Sequence, residues 1–366
     1  MKFIVERNVL LTPLQQVIKP LNNKSKLPIL NNILLKVEKN YLILTGTDLD
    51  IEISVSVNLK KVYIIGSITV PALKFYDIFK KLPNKSEIKI KNKKDLLKIK
   101  YKNIVYYLST IPSDNFPIIK FIKSKVELQL NQSNFKKLIE SINFSMANQD
   151  VRYYLNGMLF EIKDNYFNMV STDGHRLSLS SYLIKKKIPF NSSIIPRKGI
   201  IVLYRLLDNN NILLNINIGE NHIQVKRDNY TFVSKKIDGN FPDYKSVIPK
   251  NYNKKIIINN KLFQQALSRA LIISNEKFNI VNFIFTNNKL IINTNNSLQE
   301  QSEEIIEIIY NGNDIRISFN VNYILDVLYS LKCEFIKIFV IDEKSCIKIE
   351  DNLSSLFCYV IMPIIL

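Results

Sequence analysis

The sequence lacks most of the features that mark common enzyme and membrane-protein classes. It has no tryptophan, two histidines and only eight glycines among its 366 residues. No GxGxxG, GxxxxGK[ST], HExxH or CxxC motif occurs, and three cysteines (Cys333, Cys346, Cys358) are too few and too scattered for a disulfide framework or a zinc site. No apolar run approaches the ~20 residues of a membrane helix, and Glu6 and Arg7 interrupt any signal-peptide core. We therefore expect a cytoplasmic protein without a metal or cofactor.

Acidic residues are also too few to balance the basic ones. Lysine and arginine number 51 against 32 aspartates and glutamates, a net charge of +19. Such an excess favours a polyanionic partner, most often nucleic acid. The alternative explanation is a bias in genome composition. Lys, Asn and Ile dominate the chain, as they do in proteins from A+T-rich genomes at positions under weak selection. The 46% of apolar residues exclude a wholly disordered chain.

The chain carries an internal repeat. Three pairs of motifs recur at one spacing of 125 positions: Thr47-Asp48 with Thr172-Asp173, Val70-Pro71 with Ile195-Pro196, and Phe116-Pro117 with Phe241-Pro242. A fainter third copy includes the helix-like segments 262–267 and 322–328. Because a repeat at a fixed period indicates repeated structural units, we predict three modules, over residues 1–123, 124–252 and 253–366.

Each module is predicted to contain two helices and several antiparallel strands, an α+β fold. In the second copy, apolar residues recur at helical spacing from Phe135 to Ile142. A second helix is expected directly after Pro71 and after Pro196, since proline suits a first helical turn. Short alternating segments such as Ile88–Lys91 predict the strands.

The two histidines do not indicate a catalytic site. His175 follows Asp173 closely and could form an acid–base pair with it, but the first repeat has Asp48 at the equivalent position without a histidine. Because Asp and Gly favour turns, we expect a turn between two strands there. His222 lies in a lysine-flanked segment and is expected at the surface. We therefore predict no catalytic residues and no enzyme activity.

Several strings together make the sequence similar to the bacterial DNA polymerase III beta subunits, the family of sliding clamps. The two most specific strings are Ser145–Phe160 and the Phe-Pro-Asp-Tyr string at Phe241–Tyr244. The resemblance extends from the first residue to the last, over Met1–Arg7, Lys26–Asn32, Ser145–Phe160, Thr172–Leu177, Asp238–Tyr244, Ser274–Phe278 and Met362–Pro363.

The resemblance implies a clamp fold and a head-to-tail dimer closed into a ring around duplex DNA, with helices lining the hole and sheets outside. Six packed helices from one chain would enclose a hole of only ~7 Å, whereas twelve enclose ~24 Å. Because the major groove of DNA alone is ~12 Å wide, one chain cannot encircle a duplex but two can. The implied function is that of a processivity factor, which holds the replicative polymerase on DNA without reading sequence.

Basic residues on the predicted helices are candidates for phosphate contacts, with an ordinary solvated helix face as the alternative for each. They are Lys80, Lys81, Lys136, Lys137, Arg197, Lys198 and Arg205. The resemblance adds Lys24, Gln149, Tyr153 and Tyr154 as DNA-contacting positions. It also assigns a basic contact to the position of Leu73, which puts that contact in doubt here.

The apolar segment Val360–Leu366 is better explained as one wall of a peptide-binding cleft than as a closing core strand alone, because methionine adapts to varied ligands. The resemblance assigns partner proteins to this cleft: the catalytic subunit of DNA polymerase III, the clamp loader and other replication and repair proteins. Relatives often carry other residues at Ser246, Cys346, Ile364 and Ile365. The implied cleft residues are Leu155, Thr172, Gly174, His175, Arg176, Leu177, Pro242, Ser246, Val247, Asn320, Tyr323, Cys346, Val360, Met362, Pro363, Ile364, Ile365 and Leu366.

The resemblance also implies a subunit interface between the first module of one copy and the third module of the other. The matching positions are Lys74, Ile78, Leu82, Tyr106 and Leu108, facing Ile272, Ile273, Glu300, Glu303 and Glu304. Two alternatives remain open: a basic DNA-binding protein that does not encircle its substrate, and a nucleic-acid enzyme.

Overall fold

The computed structural model describes residues 1–21, 26–120, 124–249, 254–274 and 279–365. Two residues with a predicted role, Lys24 and Leu366, lie outside these ranges. The predicted α+β fold with three repeated domains is confirmed, and the strand pairs between neighbouring elements are antiparallel. Among the described residues, none of the helices combines the length and apolar content needed to cross a bilayer.

The first module consists of two helices and nine strands in the described residues. These are β1 (Lys2–Glu6), α1 (Arg7–Val17), β2 (Asn32–Val37), β3 (Tyr41–Thr47), β4 (Ile51–Asn58), β5 (Lys61–Ile64), β6 (Gly66–Pro71), α2 (Ala72–Lys81), β7 (Glu87–Lys93), β8 (Leu96–Tyr101) and β9 (Ile104–Ser109). The segments predicted as strands between 88 and 108 correspond to β7, β8 and β9.

The second module has the same order with one strand fewer between its two main helices, and it adds a short helix at its end. Its elements are β10 (Ser124–Asn131), α3 (Gln132–Glu140), β11 (Gly157–Lys163), β12 (Tyr166–Thr172), β13 (Arg176–Leu183), β14 (Asn191–Pro196), α4 (Arg197–Leu206), β15 (Leu213–Gly219), β16 (His222–Arg227), β17 (Tyr230–Lys235) and α5 (Tyr244–Val247).

The third module has the order of the second module without the closing short helix. Its elements are β18 (Lys254–Asn259), α6 (Asn260–Ile273), β19 (Ile280–Thr286), β20 (Lys289–Asn295), β21 (Gln301–Glu307), β22 (Ile315–Asn320), α7 (Val321–Ser330), β23 (Phe335–Val340), β24 (Ile347–Asp351) and β25 (Phe357–Ile361).

The helix starts agree with the sequence analysis, but one predicted helix is shorter than expected. Helices α2 and α4 begin directly after Pro71 and Pro196. Helix α3 ends at Glu140, so Ile142 lies beyond it. There the Ile142 N–H donates to the Ile139 carbonyl, an i to i−3 bond that tightens the chain out of the α-helix. Ile142 is nevertheless buried.

The chain divides into two compact units. The first comprises residues 1–133 and 201–236, the second residues 134–200 and 237–366. The second module is divided between the two units because its strands belong to two different sheets. Strands β10 and β15–β17 share a sheet with strands of the first module, and β11–β14 share one with strands of the third. In the first unit β17 pairs with β4, and in the second unit β13 pairs with β25.

The described strands of each unit form two sheets. In the first unit the strand orders are β5-β1-β7-β8-β9 and β10-β15-β16-β17-β4-β3-β2-β6; in the second they are β14-β11-β12-β13-β25-β24-β23-β18 and β21-β20-β19-β22. Strands β9 and β21 are therefore sheet edges, a position where backbone groups on one side have no strand partner within the sheet.

Candidate functional site

The candidate cleft lies where β13 of the second module pairs with β25 of the third. Leu177 is opposite Val360, and Arg176 is opposite Ile361. The pairing continues past the strand end, because the Met362 N–H donates to the His175 carbonyl at 2.9 Å. The last strand of the chain therefore completes the sheet of the preceding module and brings two distant parts of the sequence together.

A cavity of about 190 Å³ lies beside this strand pair. Leu155, Leu177 and Val360 are almost fully buried around it and supply an apolar wall. Its lining residues are Arg152, Tyr154, Leu155, Thr172, Gly174, Arg176, Leu177, Phe241, Pro242, Tyr244, Val247, Val360 and Met362. An apolar cavity with a few polar groups at its edge is suited to the side chains of a bound peptide or small molecule.

Arg176 joins the cavity wall to helix α7. Its guanidinium donates to Asp173 at 3.0 Å, to Asp326 at 2.6 Å and to the Phe144 carbonyl at 2.7 Å. It also lies over the ring of Tyr323, 4.5 Å from the centroid. Because the planar guanidinium contacts these four groups at once, its position at the edge of the cavity is fixed.

The loop before Arg176 is the turn that the sequence predicts. The Asp173 carboxylate accepts the backbone N–H groups of His175 and Arg176 at 2.9 and 3.1 Å. In the first repeat, Asp48 accepts two backbone N–H groups in the same way. Gly174 has a φ of +92°, which favours glycine, and a Cβ there would lie 2.8 Å from the Arg152 guanidinium. Asp173 therefore forms the turn and does not pair with the imidazole.

The His175 ring is placed by packing. It stacks on Tyr323 with the ring centroids 6.4 Å apart. His222, predicted at the surface, is only partly exposed, and burial together with nearby Lys235 and Lys236 lowers its pKa. Neither histidine belongs to a group of three or more potential metal ligands in the described ranges.

A partly buried hydrogen-bond network supports Tyr244 in the cavity wall. The Tyr244 hydroxyl donates to Glu161 at 2.7 Å, and Lys245 pairs with the same carboxylate at 3.2 Å. Burial alone would raise the pKa of Glu161, but these two donors outweigh it and lower that pKa. Burial and the bond to Glu161 raise the pKa of Tyr244, which stays protonated. Tyr244 is thus fixed with its ring against the cavity.

Half of the cleft residues implied by the resemblance line this cavity. They are Leu155, Thr172, Gly174, Arg176, Leu177, Pro242, Val247, Val360 and Met362. The other described members of that set do not line it: His175, Ser246, Asn320, Tyr323, Cys346, Pro363, Ile364 and Ile365. Cys346, for example, packs behind Val247, with its thiol 3.6 Å from the Val247 carbonyl.

Four lining residues were not assigned to the cleft from the sequence. Tyr154, whose contact with DNA stays a prediction, lies in the cavity wall and packs against the surrounding apolar cluster. Arg152, Phe241 and Tyr244 were not predicted. All four belong to the two most specific strings of the sequence, which is the signal that could have identified them.

The predicted DNA-contacting residues differ in their exposure to solvent. Lys80, Lys81, Lys137, Lys198, Arg205, Gln149, Tyr153 and Leu73 are exposed, whereas Lys136 and Arg197 are partly buried. Arg197 donates to the Met146 carbonyl at 2.6 Å, so it has a structural contact of its own. Lys137 lies over the Phe357 ring at 5.6 Å.

The predicted interface residues lie on one helix and one edge strand of each terminal module. Lys74 and Ile78 are on α2, and Tyr106 and Leu108 on β9, while Leu82 follows α2; Leu82 and Leu108 are buried within the chain. The positions in the third module are Ile272 and Ile273 on α6, Glu303 and Glu304 on β21, and Glu300 just before β21. Glu304 already pairs with Arg269 at 2.9 Å.

Comparison with known proteins gives one consistent result over the whole chain. Models of the DNA polymerase III beta subunit match in its N-terminal domain at residues 1–120, its central domain at 129–243 and its C-terminal domain at 245–365. The beta sliding clamps of Proteus mirabilis and Escherichia coli K12 are 47% and 46% identical, with 99% of each chain covered. The crystal structure of DNA polymerase III subunit beta from Pseudomonas aeruginosa superposes with a TM-score of 0.97 at 38% identity, covering 100% of both chains.

Proposed function

Because this chain belongs to the DNA polymerase III beta subunit family and functions as a sliding clamp in replication, we propose that two copies close head to tail into a ring around duplex DNA. The observation that carries this proposal is the threefold repeat of two helices per module. In the described residues these are α1 and α2, α3 and α4, α6 and α7. Twelve such helices suffice to line a hole of ~24 Å, whereas six do not.

The two sheet edges support the head-to-tail contact. Strands β9 and β21 are edges of sheets in the first and third modules, and each carries residues of the proposed interface. An exposed edge is stabilised when it pairs with another strand, and a contact between two different surfaces can close into a ring. The interface would pair the exposed Tyr106 region of one copy with the Ile272 and Glu303 region of the other.

The proposed contact with DNA is weak and independent of sequence. The exposed cations Lys80, Lys81, Lys137, Lys198 and Arg205 can attract phosphates at a distance without reading base edges. A clamp is retained by topology and must slide, so tight contacts would oppose its function. As a family member it acts as a non-catalytic processivity factor, and we propose that catalysis belongs to its partners.

The cavity beside β13 and β25 is the proposed docking site for partner peptides. An apolar side chain of a partner would enter between Leu155, Leu177 and Val360, with Met362 adapting at the mouth. We propose the polymerase catalytic subunit, the clamp loader and repair proteins in the cytoplasm as users of this single site, so they would compete with one another.

A linearisation assay tests the ring. The protein is loaded onto nicked circular DNA by the cognate loader and isolated by gel filtration, and the circle is then cut once. We expect retention on the circle and rapid loss after cutting. Retention on the linear DNA would instead favour a non-encircling DNA-binding protein, and turnover of the DNA would favour a nucleic-acid enzyme. Sedimentation at working concentrations should give a dimer; a stable monomer would overturn the proposal.

A further inference from the structure

One face of the five-stranded sheet in the first module carries two rows of lysines. On this face Lys2 lies opposite Lys91, and Lys91 opposite Lys98; in the next row Lys89 lies opposite Lys100. Lys61 of the neighbouring edge strand lies opposite Ile4 in that second row. We call this surface the lysine face and define it by Lys2, Lys61, Lys89, Lys91, Lys98 and Lys100. The other face of these strands is buried apolar core, including Phe3, Ile88, Ile90, Leu97 and Ile99.

The arrangement is unfavourable for the isolated sheet. Like charges directly opposite each other on neighbouring strands repel and destabilise the pairing. None of the six lysines forms an ion pair with a carboxylate in the described part of the chain. The nearby carboxylate of Glu87 is instead paired with Lys60, outside the two rows. The lysine face therefore keeps a positive charge that is not balanced by carboxylates in the described residues.

An exposed tyrosine lies at each side of the lysine face. Tyr63 on β5 and Tyr107 on β9 have exposed fractions of 47% and 54%. Lys2 and Lys61 lie 4.6 and 5.1 Å from the Tyr63 ring centroid, and Lys98 lies 5.6 Å from that of Tyr107. The five strands between these rings span ~19 Å at the usual strand spacing. Aromatic rings interleaved with cations are the combination that binds single strands, by base stacking and phosphate attraction.

We propose that the lysine face binds single-stranded nucleic acid, with bases stacked on Tyr63 and Tyr107 and phosphates held between the lysine rows. A base that stacks on either ring brings its phosphate within reach of the adjacent ammonium group. We favour nucleic acid because rings beside ammonium groups match a ligand that carries both bases and phosphates, whereas an acidic protein would use the charge alone. The lysine face shares no residue with the lining of the cleft described above.

The test compares two variants that lose the same charge. The lysine-face variant carries Lys89→Gln, Lys91→Gln, Lys98→Gln and Lys100→Gln; the control variant carries Lys163→Gln, Lys185→Gln, Lys186→Gln and Lys187→Gln, all at exposed positions. Binding of a fluorescein-labelled 20-nucleotide oligothymidylate is followed by anisotropy over a NaCl series. We expect the lysine-face variant to lose about tenfold or more in affinity and up to about 3 in the slope of log K against log[salt]. The control variant should change affinity less than twofold.

Tyrosine variants test the stacking separately from the charge. Tyr63→Ala should lower the affinity for the oligothymidylate about tenfold, and Tyr63→Phe, which keeps the ring, should retain it. Tyr63 is the better choice because Tyr107 adjoins residues of the proposed subunit interface. Circular dichroism and retention on nicked circular DNA serve as controls for folding and for the ring, and both should be unchanged in the lysine-face variant.

Three results would overturn the proposal. Equal losses in the lysine-face and control variants would mean that net charge alone attracts the oligonucleotide. Equal losses of single-stranded and duplex binding would remove the assignment to single strands. Binding of polyglutamate to the lysine face, with no detectable binding of oligothymidylate, would identify an acidic protein as its ligand.

Discussion

Replacing Arg176 with alanine should destabilise the second unit substantially. The side chain is 11% exposed, and the substitution removes two carboxylate partners and the donor to the Phe144 carbonyl. Hydrogen bonds of charged groups contribute about 1.5–3 kcal/mol each when shielded. The Asp326 side chain is 42% exposed, so solvent screening reduces its share. With the stacking on Tyr323 also lost, we expect a cost of about 3 kcal/mol in the free energy of unfolding.

Urea denaturation followed by far-UV circular dichroism measures this cost, since the chain has no tryptophan to report by fluorescence. For an m-value of about 2–3 kcal/mol/M, the midpoint should fall by roughly 1–1.5 M. Arg152→Ala is the matched control, because Arg152 lines the same cavity but pairs with Asp150 near the surface, with its side chain 46% exposed. It should shift the midpoint much less. A similar shift for both variants would refute the structural role assigned to Arg176.

Three further predictions concern the surroundings of the cavity. Tyr244→Phe should cost about 1 kcal/mol of stability at pH 7. Since the pKa of Glu161 is lowered in the folded state, this difference should stay constant near neutral pH and shrink in acid, as the pH falls through the lowered pKa. Urea titrations over a pH series measure it, and a difference that grows on acidification would contradict the reasoning. Met362→Ala should weaken binding of a labelled polymerase peptide about tenfold in anisotropy titrations, and Ile365→Ala less than twofold, since only Met362 lines the cavity; equal losses would refute this. Burial raises the pKa of the Cys358 thiol to about 12, so a disulfide reagent at pH 8 should label it only after unfolding in urea, and rapid labelling of the native protein would be the contrary result.

Local features of the fold could be predicted from the sequence because their causes are local. Proline at positions 71 and 196 sets the start of a helix by its own backbone geometry, and the structure has α2 and α4 there. Asp173 and Asp48 form their turns with N–H groups two and three residues away. The end of α3 was missed, because helix ends depend on competing bonds that apolar spacing does not record.

The composition of the cleft was only partly predictable. The resemblance identified Leu177 and Val360, but the assignment of Tyr154 to DNA did not anticipate its place in the cavity wall. Tyr244 was missed because its position depends on Glu161, which is 83 residues away in the chain. The sequence around a tyrosine does not indicate which distant carboxylate will accept a hydrogen bond from its hydroxyl.

What the sequence determined by itself was the repeat, the order of helices and strands within each module, and the family to which the modules belong. Only the tertiary structure decided that β25 pairs with β13, that Arg176 reaches Asp326, and that lysines of β1, β7 and β8 stand opposite one another. The physical reason is that helices and turns are stabilised by neighbours a few residues apart, which sequence patterns record. Strand register, cavities and charged faces arise from contacts between distant residues, and no local pattern specifies those.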